Sequence, residues 1–367
     1  MKIRARIFVC FALVILALSP AMNLAYGKLQ GKGAAEWWNR SALYNLDFAM
    51  PYLARFFYPF GISLDPNQVV IGKNGWLYLG DMYEKEMTST RHGASQDDMT
   101  VIPKIAHATE AWEHYLSLHG VSLFKLMLCP TKATIYPEFL PGWAQPTTES
   151  ASDKLMAAVE KGLYFDTRPA VKAAKARFSE PLFYKTDTHW NNLAAWVAFH
   201  SFTKELERSQ NDLRFLSERN VHISKVTDRV SGDLASFLRM TKNLHDNEVV
   251  LEIDGIPPIV TEQIDLESGQ LIQSTGNPQI SPPRRPVLIK SKNALNNKRV
   301  LWLRDSFGTA MAPYMAATFS EIVQLHYDAA DPTEFARLVD TFKPDYVFVT
   351  VIERASRIDW FANPPPL

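Results

Sequence analysis

The sequence predicts an α/β protein with a mainly parallel central sheet that is flanked by helices. From residue 299 onward, short continuous apolar runs alternate with amphipathic stretches, which is the pattern of buried strands joined by crossover helices. Parallel strands need such crossovers because the chain must return to the same edge of the sheet before each new strand. The chain has 367 residues, 47% of them apolar, and these supply the core of one large domain.

The N-terminus has the features of an export signal. Three basic residues precede a continuous apolar run from Ile7 to Leu18, and Ala25-Tyr26-Gly27 offers the small residues of a cleavage site. Residues 1–27 are therefore predicted to be a signal peptide or, if uncleaved, a membrane anchor, since the segment from Ile7 to Tyr26 has roughly the 20 residues needed to span a bilayer. In either case the body of the protein is expected in the periplasm, tethered to the inner membrane if the anchor is retained.

The elements that follow are predicted in chain order. Residues 28–66 are rich in aromatic side chains and are expected to pack on the main domain or to lie near the membrane. The main domain is predicted over 67–355 and opens with a hairpin at Asn74-Gly75. A helix at 97–118 closed by His119-Gly120 is expected next. Later elements are a strand at 121–129, helices at 151–162 and 192–207, a strand at 299–305, a helix at 306–319, a strand at 321–327, a helix at 331–342 and a strand at 345–352. The proline-rich segment 209–298 is expected to form irregular loops around the site, and 356–367 a C-terminal tail.

Charge and cysteine content argue against a nucleic-acid-binding protein and against a disulfide-linked one. Lys plus Arg and Asp plus Glu number 39 each, so the chain lacks the basic excess of a dedicated nucleic-acid binder, and no nucleic-acid partner is expected. Cys10 lies in the N-terminal apolar run, which leaves Cys129 as a single thiol in the body and no internal disulfide. Because Cys129 ends an apolar strand, it is expected to be inert core.

The segment Lys185-Thr186-Asp187-Thr188-His189-Trp190-Asn191 carries a first candidate for chemistry. In extended backbone, Asp187 and His189 project to the same side, so a carboxylate can orient the imidazole. The alternatives are that Asp187 caps a helix and that His189 is an ordinary surface residue.

The second candidate is Ser306, which follows an apolar strand and opens a helix. In an open parallel sheet, ligands bind at this end of the strands, and free N–H groups at a helix start can stabilise an oxyanion. Alternatively, Asp305 or Ser306 is an ordinary helix cap. A serine nucleophile needs a base, and the base needs an orienting group, so Ser306, His189 and Asp187 together predict a catalytic triad.

These segments resemble the SGNH-hydrolase-like alginate O-acetyltransferase family, which acetylates bacterial exopolysaccharides. The resemblance rests on KTDTHWN and the downstream LRDSFG, with VVIGKNGWLYLGD, CPTKATIYPEFLP, SGDLASFL and VIERAS in the same order. It covers about residues 65–355. It implies Ser306 as nucleophile, His189 as general base and Asp187 as the acid that orients it, in the permuted order Asp, His, Ser.

The resemblance also implies further site residues. Gly232 is expected as an oxyanion donor through its N–H, and Asp233 as a residue of the loop that borders the site. Lys132 and Tyr136 match the P-x-K…IYP loop, for which a substrate role and a structural role stay open. Arg354 is expected in a structural ion pair. Some relatives carry a carbohydrate-binding module, and this chain resembles the single-domain branch without one.

The implied function is transfer of acetyl to a polysaccharide in the periplasm, through an acetyl-serine, with acetyl supplied by a membrane-bound acyltransferase. No cofactor is expected. An acetyl esterase uses the same triad and stays an alternative, as does a non-catalytic scaffold that binds polysaccharide, although a scaffold has no need of all three groups. A metal site built on Asp187, His189 and His200 is disfavoured, because His200 lies about 16 Å further along a helix; no metal is expected.

Overall fold

The computed structural model describes residues 2–29 and 43–366, and a central eight-stranded sheet organises the molecule. The strands are β1 (Val69–Ile71), β2 (Leu77–Leu79), β3 (Leu123–Cys129), β4 (Tyr164–Asp166), β5 (Val221–Val230), β6 (His245–Ile253), β7 (Val260–Asp265), β8 (Leu271–Thr275), β9 (Val287–Lys292), β10 (Asn296–Arg304), β11 (Phe319–His326) and β12 (Tyr346–Ile352). The α-helices are α1 (Lys2–Leu29), α2 (Met50–Phe57), α3 (Glu86–His92), α4 (Gln96–Leu118), α5 (Lys132–Ile135), α6 (Ala151–Ala158), α7 (Arg168–Arg177), α8 (Asn192–Ser209), α9 (Asp233–Phe237), α10 (Ala312–Thr318) and α11 (Pro332–Phe342).

The sheet has the order β4-β3-β12-β10-β11-β9-β7-β8. The five strands from β4 to β11 are parallel, and β9, β7 and β8 extend the sheet in antiparallel pairing. Strand β10 lies between β12 and β11, and its last five residues are buried. The α/β class with a mostly parallel sheet flanked by helices is thus confirmed, and β10 ends between two parallel neighbours, β12 and β11.

The segment 209–298 is more regular than the sequence indicated. Instead of irregular loops it contains β5 to β9: β5 and β6 form a separate two-stranded hairpin, and the other three join the central sheet. The expectation of irregular loops was wrong. For β5 the sequence signal is weak because most of the strand is exposed, so it lacks the apolar alternation that marks a half-buried strand. The prolines of segment 209–298 fall between its strands, where they remove no ladder hydrogen bond.

Local signals elsewhere predicted the elements well. The hairpin of β1 and β2 turns at Asn74 and Gly75, which have φ angles of 55° and 78°, in the left-handed region that Asn and Gly tolerate. Ser95 caps α4 in a reciprocal capping box with Asp98. One helix was expected over 306–319, but the chain instead forms a 3₁₀ turn, Ser306–Thr309, followed by α10.

The two ends of the chain differ from expectation in part. Residues 30–42 of the aromatic-rich extension lie outside the described residues, whereas Ala54 in the described part packs in a small core with β1 and β2. The predicted C-terminal tail, 356–367, packs on the domain, because Ser356 and Phe361 are buried. Cys129 is buried as expected, and burial raises the pKa of its thiol.

Candidate active site

Ser306, His189 and Asp187 form one continuous chain of hydrogen bonds. Ser306 Oγ lies 2.7 Å from His189 Nε2. On the far side of the ring, His189 Nδ1 lies 2.7 Å from Asp187 Oδ1, a distance typical of charge-assisted hydrogen bonds. The side chains of His189 and Asp187 are 31% and 8% exposed, so the imidazole reaches solvent while the carboxylate behind it does not. This is the arrangement that a base-activated serine requires.

The serine is presented by a rigid turn at the end of β10. The Asp305 carboxylate caps this turn by accepting from Phe307 N at 2.9 Å, and its other oxygen accepts from Ile352 N at 2.8 Å on the neighbouring strand. Asp305 is therefore the helix cap, as one alternative proposed, and Ser306 is left free to face the histidine. Trp190 Nε1 donates to Phe307 O at 3.0 Å, which fixes the turn to the segment that carries the base.

Two residues that flank the serine explain the rest of the LRDSFG motif. Arg304 is wholly buried, and burial lowers its pKa to about 9. Its guanidinium donates to Gln324 Oε1 at 2.8 Å and to Ile280 O at 2.5 Å, so it ties the loop before β9 to the strand end. Gly308 is required by close packing, since a Cβ there would lie 2.5 Å from Arg304 Cδ.

Asp187 and His189 lie in a tight loop that leads into α8. Phe183 and Trp190 pair as an antiparallel bridge at the base of this loop. The cap of α8 is Asn191, whose side chain accepts from the N–H groups of Leu193 and Ala194. Asp187 is thus not a helix cap, and the helix-cap alternative for it is wrong. Its Oδ1 also accepts from the backbone N–H of His189 at 3.0 Å, which sets the angle between the two side chains.

Arg229, on β5, is a charged neighbour of the site that the sequence did not reveal. Its Nη2 donates to Asp187 Oδ2 at 3.0 Å, on the oxygen not used by His189. The guanidinium lies over the Tyr184 ring at 3.9 Å from the centroid. Burial opposes ionisation of Asp187, but the hydrogen bonds from His189 and the charge of Arg229 hold the pKa of this carboxyl well below its ordinary value. Asp187 is therefore a fixed anion.

The hairpin partner β6 holds the same loop at two further points. Asp246 accepts from the backbone N–H groups of Lys185 and Thr186 at 2.6 and 2.9 Å, and also from the Thr186 hydroxyl. Glu248 accepts from the Tyr184 hydroxyl at 2.7 Å. These contacts come from residues about 60 positions downstream of the loop, so the D-x-H spacing contains no signal for them.

Gly232 and Asp233 border the loop, but Gly232 does not have the role expected of it. The Gly232 N–H donates to Thr186 Oγ1 at 2.9 Å, so it is not free to receive an oxyanion. The glycine is required because a Cβ there would lie 2.2 Å from that of Asp187. Asp233 accepts from the N–H and hydroxyl of Thr188 at 2.7 and 2.5 Å, which braces the residue between Asp187 and His189.

Lys132 and Tyr136 are buried and bonded to backbone. Lys132 Nζ donates to Leu77 O at 2.8 Å and to Lys185 O at 3.2 Å, and burial lowers its pKa to about 8 against the opposing pull of Asp187. The Tyr136 hydroxyl accepts from Leu182 N at 2.9 Å. Of the two roles left open for this loop, these contacts favour the structural one.

Aromatic side chains of the motif segments are mostly buried, and Arg354 is paired. Trp76, Tyr78 and Tyr136 are buried, so their rings face no ligand, whereas Trp143 is exposed. Arg354 lies 3.4 Å from carboxylate oxygens of Glu84 and Glu86, which is the structural ion pair expected of it, with partners far away in sequence.

The donor atoms of Asp187, His189 and Asp233 lie close enough together to surround a metal ion. The donor set fits a cation poorly, however, because each group already has a partner. Asp187 is shared between His189 and the Arg229 guanidinium, and Asp233 accepts from Thr188. The Arg229 charge also repels a cation at this position. The residues therefore fit a hydrogen-bonded relay better than a metal centre.

The fold and the motifs place the chain in the SGNH-hydrolase-like class of α/β proteins. A family model described as SGNH hydrolase-like domain, acetyltransferase AlgX, matches residues 69–281, more than half of the chain, and the chain belongs to this family. The resemblance read from the motifs is thereby confirmed. The matched range includes Asp187 and His189 and ends before Ser306.

Individual relatives share low sequence identity with the chain. The chain is 26% identical over 189 residues to a probable alginate O-acetylase AlgJ of Pseudomonas aeruginosa. The aligned region covers 46% of this chain and 41% of that protein. The chain therefore matches less than half the length of this relative. In structure it is similar to PatB1 of Bacillus cereus (TM-score 0.58, 13% identity, 80% of this chain and 98% of the other). It is also similar to a DHHW family protein of Eubacterium siraeum (TM-score 0.54, 16% identity, 72% and 90%). These likenesses show the fold.

Proposed function

We propose that the chain is an O-acetyltransferase that transfers acetyl to a hydroxyl of an exopolysaccharide, alginate or another glycan, with Ser306 as nucleophile. The observation that carries this proposal is the chain of two hydrogen bonds, each 2.7 Å long, that joins Ser306 Oγ to His189 Nε2 and His189 Nδ1 to Asp187 Oδ1. Membership of the acetyltransferase AlgX family and the similarity to a probable alginate O-acetylase support it. The acetyl-serine intermediate and the role of each triad member are part of the proposal.

In the first half-reaction His189 acts as base. Its Nε2 accepts the Ser306 hydroxyl proton while Oγ forms a bond to the carbonyl carbon of an acetyl donor. Asp187, held as an anion, keeps the ring oriented and stabilises the imidazolium that forms. His189 then returns the proton to the leaving group as its bond to the carbonyl carbon breaks. The products are acetyl-Ser306 and the free donor alcohol or thiol.

In the second half-reaction a sugar hydroxyl replaces the donor. His189 accepts the hydroxyl proton, the sugar oxygen attacks the acetyl carbonyl, and Ser306 Oγ leaves with the proton that His189 returns. The negative charge on the carbonyl oxygen requires backbone donors. The N–H groups of Phe307 and Gly308 are engaged by Asp305, so we assign the first donor to Ser306 N, at the start of the turn.

The proposed setting is the periplasm. Within the described residues, α1 holds one stretch, Ala5–Ala25, long and apolar enough to cross a membrane, and a signal sequence would meet the same criterion. With the basic residues on the cytoplasmic side, everything after α1 lies outside. Acetyl then has to reach Ser306 from across the membrane, for which a membrane-bound acyltransferase is the proposed partner, and the polysaccharide is the proposed acceptor.

Replacing Ser306 tests the mechanism. Ser306→Ala removes the nucleophile, and triad enzymes typically lose roughly a million-fold in turnover from this change. We expect acetylation of an oligosaccharide by the purified variant to fall below detection while its circular dichroism and melting temperature stay at wild-type values. Ser224→Ala, on the exposed hairpin strand β5, is the matched control and should keep full activity. Transfer at a near wild-type rate by Ser306→Ala would refute the serine mechanism.

A further inference from the structure

We propose that residues 44–62 form a membrane-facing surface that lies in the outer interface of the bilayer crossed by α1. The occupant of this surface is lipid: the headgroup and upper acyl region of the membrane. The inference takes α1 as an uncleaved anchor, which is one of the two alternatives for residues 1–27, and it does not depend on the acetyl-transfer chemistry.

The first observation is a concentration of exposed apolar side chains. Outside α1, the described residues include seventeen large hydrophobic side chains that are exposed, and seven of them fall between positions 44 and 62. The seven are Tyr44, Leu46, Tyr52, Leu53, Phe56, Phe60 and Ile62. Single exposed apolar residues are ordinary, but such a concentration in 19 residues marks a contact surface.

The second observation is that α2 is apolar on opposite faces. Ala54 is buried and packs with β1 and β2, and Tyr58 just after the helix joins the same small core. Tyr52 and Phe56, on the outer face, are 72% and 64% exposed. A helix on the surface of a soluble domain normally presents polar residues outward, so the outer face of α2 is built for an apolar or interfacial environment.

The third observation places this surface at the end of the candidate span. Asn23, two residues before the end of the apolar stretch, donates from Nδ2 to Leu43 O and to Asn45 O, each at 2.8 Å. Ser19, one turn earlier, lies 3.3 Å from the same two carbonyl oxygens. With the N-terminus inside, Asn23 marks the outer boundary of the bilayer, so segment 43–45 begins at the level of the lipid headgroups.

The composition of the surface favours lipid over a protein or glycan partner. Its two exposed tyrosines have the amphipathic ring that concentrates at membrane interfaces. Its two exposed phenylalanines suit the upper acyl region, into which interfacial helices insert their apolar face. Arg55 is the basic residue of α2, so the attraction is mainly apolar and does not need anionic lipid. The chain itself keeps the surface next to the bilayer, which gives lipid a high effective concentration compared with any soluble partner.

The membrane-facing surface is connected to the candidate active site through the small core of Ala54. The small core that holds Ala54 also contains Leu234 and Ala235 of α9. Asp233, which begins α9, accepts from Thr188 beside the triad histidine. One small core therefore lies between the membrane-facing surface and the loop that carries Asp187 and His189. This connection holds Ser306 at a fixed height above the bilayer, within reach of a donor that emerges from the membrane.

Depth-dependent fluorescence quenching tests the surface in the full chain. Cys10 is replaced by serine, and Cys129 is buried. A bimane label is placed on Phe56→Cys or, as control, on Leu118→Cys at the end of α4; these positions are 64% and 73% exposed. The protein is reconstituted in vesicles of zwitterionic lipid with or without bromine on the acyl chains. We expect bromolipid to quench the label at 56 at least two-fold more than the label at 118, and iodide in the water to do the opposite.

Each other outcome overturns the proposal. Equal iodide quenching at 56 and 118 would show a water-facing surface. Shielding of position 56 from both iodide and bromolipid would show that protein, such as residues 30–42 or a second copy, covers it. The same measurement on Ser306→Ala should be unchanged. The two proposals can therefore fail separately. If the label at 56 is not quenched by bromolipid but the enzyme is active, only the membrane proposal is refuted. If the enzyme is inactive but the label is quenched by bromolipid, only the acetyl-transfer proposal is refuted.

Discussion

Asp187 shows how single residues are tuned at this site. A buried carboxylate ordinarily gains a proton, yet Asp187 receives hydrogen bonds from His189 on one oxygen and from Arg229 on the other. These contacts outweigh desolvation and keep its pKa low. In the proposed mechanism Asp187 can therefore orient and stabilise the imidazolium without taking a proton itself.

Glu86 is the opposite case, and it gives a prediction for stability. It is buried at the start of α3, and burial raises its pKa from 4.5 to about 7 despite the nearby Arg354. The folded state therefore binds more protons than the unfolded state between pH 4.5 and 7, and the stability that Glu86 contributes is lost as pH rises through this window. We expect Glu86→Gln, which stays neutral, to gain stability relative to wild type from pH 5 to pH 8, by at most about 3 kcal/mol.

Chemical unfolding in one detergent at both pH values measures this difference. Glu160→Gln, at an exposed position after α6, is the control and should differ from wild type by the same amount at pH 5 and pH 8. If Glu86→Gln also shows no change between the two pH values, Glu86 is ionised throughout and the proton linkage is wrong.

At the scale of elements, the hairpin of β5 and β6 supports the loop that carries Asp187 and His189. Arg229 from β5 and Asp246 from β6 hold adjacent residues of that loop, and neither reaches the reacting atoms. Their role is positioning. The loop itself is short and polar, so the hairpin adds to the contacts that the loop receives from the Phe183–Trp190 bridge, from Asp233 and from Lys132.

Arg229→Met tests this support. It keeps the contact with the Tyr184 ring but removes the charge from Asp187, so protonation of the Asp187–His189 pair becomes easier. We expect kcat to fall roughly 10- to 100-fold with little change in KM, and the acid limb of the rate–pH profile to move to higher pH. Arg229→Lys should restore part of the rate and move the limb back. A loss of rate with an unshifted profile would mean that Arg229 only holds the fold together.

The sequence predicted the part of the site that is local and missed the part that is not. The D-x-H spacing and the serine at a strand end are short-range features, because strand direction and side-chain period dictate their geometry. Arg229, Asp246 and Glu248 reach the loop only through the pairing of β5 with β6, and because β5 is mostly exposed its sequence does not reveal this pairing. Gly232 was noticed as a motif residue, yet its real constraint, contact with Asp187, required the tertiary structure.

For the whole molecule, the direction of the chain across the membrane decides whether the proposed reaction can occur. The basic residues before the apolar stretch of α1 favour a cytoplasmic N-terminus and an exported body. We expect alkaline phosphatase fused after Leu367 to be active and a green fluorescent protein fused there to be dark, since each reporter folds in one compartment. A fluorescent fusion with inactive phosphatase would place the body in the cytoplasm and refute the periplasmic setting.

The fate of the acyl-enzyme separates a transferase from an esterase. The purified protein with a chromogenic acetyl ester should release about one equivalent of alcohol in a burst and then turn over slowly, because water attacks acetyl-Ser306 poorly. An acceptor oligosaccharide held in near-attack geometry should speed turnover and appear acetylated by mass spectrometry. Ser306→Ala should show no burst. Rapid release of acetate with no burst and no modified sugar, across alginate and several other glycans, would instead identify an esterase.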